Sequence, residues 1–269
     1  MRLPLLSPAS IIIKPQMLIK KDTQNSSFYQ FLQLTQLPRL THGIFLRRGG
    51  HSNAPYAGLN VSFDVGDKKE DVIKNRLIIK KSLGMPNIVS ARQVHGTKVR
   101  IFSCKETSEQ VEDADALITD IPGSLLLVKA ADCQAIIIYD PKKKVAANVH
   151  SGWRGSVGNI AGKTVANMTE TYGCQPQSLI CGIGPSLGPC CAEYKNHVEC
   201  FPVWFKEHET SENHFNFWEI TNKQLQESGV LPNNIITSGI CTKCNMDKFY
   251  SYRGEQTTGR FAVVIGISE

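Results

Sequence analysis

The 269-residue chain has no apolar run of the roughly 18–20 residues that would cross a bilayer. Its N-terminus carries Ile11-Ile12-Ile13, but Pro4, Pro8 and Pro15 interrupt it, and the basic start and long apolar middle of a secretion signal are missing. Residues 1–25 read as a poorly specified extension ahead of a single domain over 26–269. Also absent are the compact catalytic signatures: no H-E-x-x-H, no G-x-S-x-G elbow, no phosphate loop, and no G-x-G-x-x-G between a strand and a helix. No large charge of one sign is present either. With 30 Lys and Arg against 24 Asp and Glu, the net charge is +6, and no basic run exceeds Lys142-Lys143-Lys144. That is too diffuse for nucleic acid, and no nucleic-acid module is recognisable. It suits a small anionic substrate and excludes a membrane partner. Internal repeats and low-complexity linkers are lacking, so one compact domain is expected.

Nine cysteines are present, at 104, 133, 174, 181, 190, 191, 200, 241 and 244. An odd count in a chain this long does not describe a secreted disulfide framework. A reducing cytoplasm is expected, with thiols free for packing or metal. Residues 69–83 place Val72, Ile73, Leu77, Ile78 and Leu83 near helical period, with Gly84 and Pro86 behind them, and predict a helix. Strand-length apolar runs follow at 88–94, 98–102, 115–119, 124–130, 135–139 and 145–149. Further helices are expected over 156–173, 193–210 and 217–228, and strands over 179–183, 235–240 and 260–267. Residues 28–37 fit either type, and 41–66 read as short strands broken by glycines. Helices mixed irregularly among many strands predict a layered α+β domain with mixed sheets.

Three segments join metal-capable residues to tight turns: Gln93-Val94-His95-Gly96, Ala131-Asp132-Cys133, and His150-Ser151-Gly152-Trp153-Arg154-Gly155. Each places a His or Cys where a strand gives way to a loop, so the three side chains can converge. Two imidazoles and a thiolate suit zinc or copper, and three protein ligands leave the open position of a catalytic site. Taken singly, each residue is more often a packed or surface residue than a ligand, and the spacing forms no compact motif. A rival site is a four-thiolate zinc built on Cys241 and Cys244 with two more cysteines. No second C-x-x-C completes it, and the adjacent Cys190 and Cys191 are expected to diverge as packing residues.

Here the residues resemble a known family. Ala130-Ala131-Asp132-Cys133 followed by His150-Ser151-Gly152-Trp153-Arg154-Gly155 is similar to the signature of the YfiH, or laccase-domain, family. Arg47-Arg48-Gly49-Gly50-His51-Ser52, Pro55-Tyr56, Leu59-Asn60, Val65-Gly66-Asp67, Asn75-Arg76, Gln93-Val94-His95-Gly96 and Asp113-Ala114-Asp115-Ala116 follow the family's order. So do Ile183-Gly184-Pro185, Gly188-Pro189-Cys190-Cys191, Cys241-Thr242, Ser251-Tyr252-Arg253 and Thr258-Gly259-Arg260. The resemblance spans residues 41–264. It implies a single-domain α/β/β/α sandwich and a zinc site of His95, Cys133 and His150, with copper as the alternative metal.

The activity implied is phosphorolysis of adenosine, inosine, guanosine and methylthioadenosine to base plus ribose 1-phosphate, with deamination of adenosine to inosine. A copper-dependent polyphenol oxidase and a peptidoglycan-precursor editing hydrolase are the other activities attached to the family. The first needs several coppers, and the seven histidines lack the H-x-H pairs of ordinary laccases. Arg47, at the motif arginine and followed by glycines that permit close approach, is assigned to phosphate or ribose. Asp132 is assigned to proton transfer or to support of a ligand histidine, and Asn60 to substrate binding. Trp153 is either core or a stacking wall. The expected partners are a nucleoside and phosphate, and the expected state is a monomer. Gln134-Ala135, Ser151, Ala192 and Gly254 depart from the family pattern. Gly254 stands where a second arginine is usual, which puts one anion contact in doubt.

Overall fold

The computed structural model describes residues 17–102 and 110–269. In chain order the strands are β1 (Leu18–Asp22), β2 (Ser26–Phe31), β3 (Leu40–Gly49), β4 (Asn87–Arg92), β5 (Val99–Ile101), β6 (Gln110–Asp113), β7 (Ala116–Thr119), β8 (Ser124–Ala130), β9 (Gln134–Asp140), β10 (Val145–Ser151), β11 (Ile180–Ile183), β12 (Glu209–Ser211), β13 (His214–Phe215), β14 (Ile235–Thr237) and β15 (Phe261–Ile267). The helices are α1 (Lys69–Leu83), α2 (Trp153–Val157), α3 (Ile160–Tyr172), α4 (His197–Cys200), α5 (Phe217–Glu227) and α6 (Tyr252–Glu255). Two mixed sheets run in the orders β1-β2-β3-β15-β8-β4-β6 and β14-β11-β9-β10-β7-β5, and β12 pairs with β13 outside them.

The period-two alternation of a strand sorts the apolar side chains into layers. Leu126 and Val128 of β8, Ile137 and Tyr139 of β9, and Val263 and Ile265 of β15 fill the space between the sheets. Leu125, Leu127 and Val264 turn to the other face of the first sheet, where Ile79 of α1 covers them. Ile136, Ile138 and Val149 turn to the far face of the second sheet and pack on Ile160, Val165 and Met168 of α3. Both faces of the central strands are covered, so 124–130 and 135–139 carry continuous apolar runs rather than an in–out alternation. This is the α/β/β/α layering that the family resemblance implies. Buried Asn148 ties the sheets together by donating to the carbonyls of Leu126 and Val263, both at 2.8 Å.

Most elements fall where the sequence places them, and α1 matches its expected span. It ends at Gly84, whose φ of 65° permits the left-handed cap that satisfies the Lys80 and Lys81 carbonyls. The helix expected over 156–173 is two helices, parted at Gly158 and Asn159. Asn159 turns left-handed at φ 54° and accepts the Gly162 N–H to start α3. The helix expected over 193–210 is reduced to the four-residue α4 and a short 3₁₀ helix over Val203–His208. Pro202 cannot continue α4, and the segment folds instead onto an aromatic cluster with Phe201, Phe205, Phe215 and Phe217. Residues 41–66 begin in one ten-residue strand, β3, rather than several short ones. Of the extension expected over residues 1–25, residues 1–16 lie outside the described residues, while Leu18–Asp22 adds the edge strand β1 to the first sheet. Among the described residues no helix is long and apolar enough to cross a membrane.

Topology decides where chemistry can gather. The chain crosses from the first sheet to the second three times, between β4 and β5, β6 and β7, and β8 and β9.

Candidate active site

Each of those crossings contributes to one cluster. His95 lies in the β4–β5 crossing, Asp115 in the β6–β7 crossing and Cys133 in the β8–β9 crossing, while His150 sits near the end of β10. The ligand atoms of His95, Cys133 and His150 all lie within 4.8 Å of one another. The two imidazoles meet edge to face, with centroids 4.9 Å apart at 87°. The structure thus brings together the three residues expected to form the metal site.

Asp115 organises this cluster, and the sequence reading missed it. Its buried carboxylate accepts the backbone N–H of His95 at 3.0 Å and of Gly96 at 2.7 Å. The same carboxylate meets His150 Nδ1 at 2.8 Å, and the Asp115 carbonyl accepts the His150 N–H at 2.7 Å. One carboxylate therefore orients a ligand side chain on one strand and fixes the loop carrying another. With Nδ1 engaged, His150 has Nε2 left for the cluster, as in carboxylate–histidine–metal arrangements. Gly152 permits the close packing: a Cβ there would stand 3.2 Å from both Cys133 Sγ and His95 Cδ2.

Two non-glycine residues of the site hold left-handed backbone, His95 at φ 59° and Asp132 at φ 85°. Such conformations cost on the order of 1–3 kcal/mol each and persist where neighbours dictate them. Asp115 does so for His95. For Asp132 the partners are Thr242 Oγ1 and the Arg253 N–H, each donating to its carboxylate at 2.6 Å.

The donors perturb one another. Burial pushes the Cys133 thiol up, but the charge of His150 and hydrogen bonds from both histidines outweigh it and lower the pKa to about 6. Burial pushes His150 down, and the Cys133 charge with the Asp115 hydrogen bond reverses this to about 9. Burial likewise raises Asp115, yet hydrogen bonds from His150 and the Gly96 and His95 amides leave its carboxyl below the usual range. A thiol that ionises this readily beside two imidazoles is a fitting donor set for a divalent metal.

Two cavities meet at the cluster, and His95, Cys133 and Tyr252 line both. One, of about 300 Å³, has aromatic walls in Trp153, Tyr194 and Phe217, with Arg154 and Arg253 at its polar side. The other, of about 430 Å³, is lined by Lys129, Arg260, Gln93, Asp64 and His150. Lys129 is buried and pairs with Asp64 at 2.7 Å. Burial lowers the Lys129 and Arg260 pKa values, and the Asp64 and Cys133 charges respectively oppose that shift. Trp153 is a wall, its ring covered by the Arg154 guanidinium at 4.3 Å.

The other three expected site residues are Arg47, Asn60 and Asp132. Arg47 lines neither cavity; it donates to Glu255 at 2.8 Å and to the Met246 carbonyl at 3.0 Å, and lies over the Tyr250 ring. Asn60 is buried and its amide is fully used. It donates to the Ser62 carbonyl and Asp67, and accepts the Ser62 and Arg260 N–H groups. Both residues are engaged by the protein's own loops. Asp132 lines the aromatic cavity, but the carboxylate that supports a ligand histidine is that of Asp115.

The departures from the family pattern leave the three donors untouched. Gln134 donates to the Phe217 carbonyl at 3.1 Å and accepts from Thr221 at 2.7 Å, fastening α5 to β9. Ser151 meets the Ser156 hydroxyl at 3.0 Å. Ala192 is buried in the aromatic cluster. At Gly254 a Cβ would collide with the Met246 sulfur.

A sequence model of the family described as "Multi-copper polyphenol oxidoreductase laccase" matches residues 41–268. The protein named purine nucleoside phosphorylase YlmD from Geobacillus stearothermophilus is 31% identical over 246 residues, covering 84% of this chain and 90% of the relative. One named purine nucleoside phosphorylase from Deinococcus radiodurans is 32% identical over 249 residues, covering 88% and 93%. The crystal structure of YlmD from Geobacillus stearothermophilus superposes with a TM-score of 0.85 at 28% identity, covering 95% of this chain and all (100%) of that one. That of the Bacillus licheniformis hypothetical protein YfiH gives 0.83 at 25%, covering 93% and 99%.

Proposed function

The chain belongs to the multi-copper polyphenol oxidoreductase laccase family, and we propose that it is a zinc-dependent purine nucleoside phosphorylase that also deaminates adenosine. The observation that carries this reading is the pair of dissimilar cavities joined at one donor cluster. A purine nucleoside needs a flat apolar wall for its base, and phosphate needs fixed cations; the reaction centre must lie between them. Relatives named purine nucleoside phosphorylase support the same reading.

His95, Cys133 and His150 would hold the zinc, and when bound it supplies Lewis acidity at neutral pH from an open coordination position. Tyr194, Phe217 and Trp153 stack the base. Arg260 and Lys129 bind phosphate, the guanidinium by its fork of donors and the ammonium as a point charge. A phosphate oxygen forms its bond to C1′ as the glycosidic bond breaks, and the base leaves with the bonding pair and takes up a proton. Asp115 keeps the donors in place throughout. The substrates proposed are adenosine, inosine, guanosine and methylthioadenosine. A copper oxidase of phenols is less well supported: among the described residues the histidine-containing cluster holds two histidines and one cysteine, and that reaction calls for several coppers.

The test is incubation of the purified protein with adenosine, with and without phosphate, followed by separation of the products. Adenine and ribose 1-phosphate formed only with phosphate support phosphorolysis, and inosine supports deamination. No turnover of any of the four nucleosides by fully metallated protein contradicts the proposal. Arg260→Ala should raise the KM for phosphate about tenfold, the value of one charge-assisted contact. An unchanged KM would place the anion elsewhere.

A further inference from the structure

A second donor cluster lies outside the site just described. The sulfurs of Cys190, Cys191, Cys241 and Cys244 all lie within 4.8 Å of one another. Cys244 Sγ stands 3.6 Å from Cys190 Sγ and 3.6 Å from Cys191 Sγ. The adjacent cysteines 190 and 191, expected to diverge, converge instead. A turn closes over them, with the Cys191 and Ala192 N–H groups both donating to the Gly188 carbonyl at 2.9 Å.

Two turns form the cluster, and the backbone locks them together. The Ser186 N–H donates to the Ile240 carbonyl, and the Thr242 N–H returns to the Ser186 carbonyl at 3.0 Å. Gly188 allows the approach: a Cβ there would stand 3.0 Å from the Cys241 Cβ and 2.8 Å from the Trp218 ring.

We propose that Cys190, Cys191, Cys241 and Cys244 bind a second zinc ion as a closed four-thiolate site. Zinc bonds of about 2.3 Å set tetrahedral sulfurs about 3.8 Å apart, close to the spacing seen. A disulfide would need two sulfurs at about 2.05 Å and would leave the other pair with no role. Four protein ligands fill the coordination sphere, so this ion does no chemistry on a substrate. It fastens a wall of the aromatic cavity: Thr242, within the Cys241–Cys244 turn, holds Asp132, and Tyr194 follows directly from the Cys190–Cys191 turn. The inference does not depend on the proposed reaction.

The test is zinc content of the full chain purified under reducing conditions, with cobalt substitution as a second reading. The unaltered chain is expected to hold about two zinc ions, Cys133→Ala about one, and Cys133→Ala with Cys244→Ser none. Cobalt added to metal-free Cys133→Ala should give the intense sulfur-to-metal bands of a tetrahedral four-sulfur site, and Cys190→Ser should weaken them. The unaltered chain, titrated the same way, gives both spectra even where a variant fails to fold. A metal-free Cys133→Ala chain that takes up no cobalt overturns the proposal. So does an intact mass showing a disulfide among these four residues in protein without zinc. Zinc retained by Cys133→Ala and lost with Cys244→Ser supports this site even if no nucleoside is turned over.

Discussion

The molecule carries two clusters of soft donors, and they are built by opposite means. His95, Cys133 and His150 come from segments far apart in sequence and meet because successive strands cross between the sheets. Cys190, Cys191, Cys241 and Cys244 come from two turns stitched together by backbone hydrogen bonds. The first has three donors, a buried carboxylate behind it and cavities on both sides. The second has four donors, and none of them lines either of those two cavities. A site for chemistry needs an open position and rigid walls, and the crossing end of the sandwich provides both. A site for fastening needs only closure.

Four substitutions test that contrast. Cys133→Ala has the largest expected effect. It removes a direct ligand, so activity should fall by more than the roughly 100-fold ceiling for loss of an outer partner. Turnover and zinc content, measured together, check this, and the four-cysteine site should keep its metal. Next is Asp115→Asn. The amide keeps the shape but cannot accept from all three donors as the carboxylate does. Metal affinity at the mixed site should drop about 10–100-fold, read by competition with a chelator, while affinity at the four-cysteine site stays fixed. Gly188→Ala acts on the other cluster. Overpacking against Cys241 and Trp218 should cost about 1–3 kcal/mol of stability and weaken the four-sulfur cobalt bands, with the mixed site's metal retained. Arg47→Ala should do least. Its ion pair and ring contact are worth about 1 kcal/mol, seen as a small fall in melting temperature, and the KM for phosphate should not change.

The covered strands were legible because burial on both faces writes continuous apolar runs, and α1 because Gly84 ends its periodic pattern. The segment 193–210 was not legible. Its aromatic residues mimic a helical stripe, while Pro202 and the packing of Phe201 and Phe205 decide otherwise. The three residues of the mixed cluster were visible as His and Cys at strand ends, yet nothing in their spacing says that they meet; the crossings supply that. Arg47 and Asn60 show the limit of a motif. Position within it does not say which way a side chain points, and both point into the protein's own hydrogen-bond network. Asp115 left a signal in Asp113-Ala114-Asp115, an acidic pair on the threshold of a buried strand. Asp113 pairs with Arg92 in the open, while Asp115 turns inward to the histidines. Cys190 and Cys191 were misjudged because adjacent side chains diverge in regular structure but not in the turn that holds them.

In the proposed function, a metal held by His95, Cys133 and His150 joins an aromatic site for a base to a cationic site for phosphate. Ribose 1-phosphate release from adenosine, followed as phosphate is titrated against protein of known zinc content, tests it most directly. Saturable release that scales with zinc at this site and vanishes in Cys133→Ala is the predicted result. Release that is independent of phosphate, or undiminished in Cys133→Ala, would contradict it.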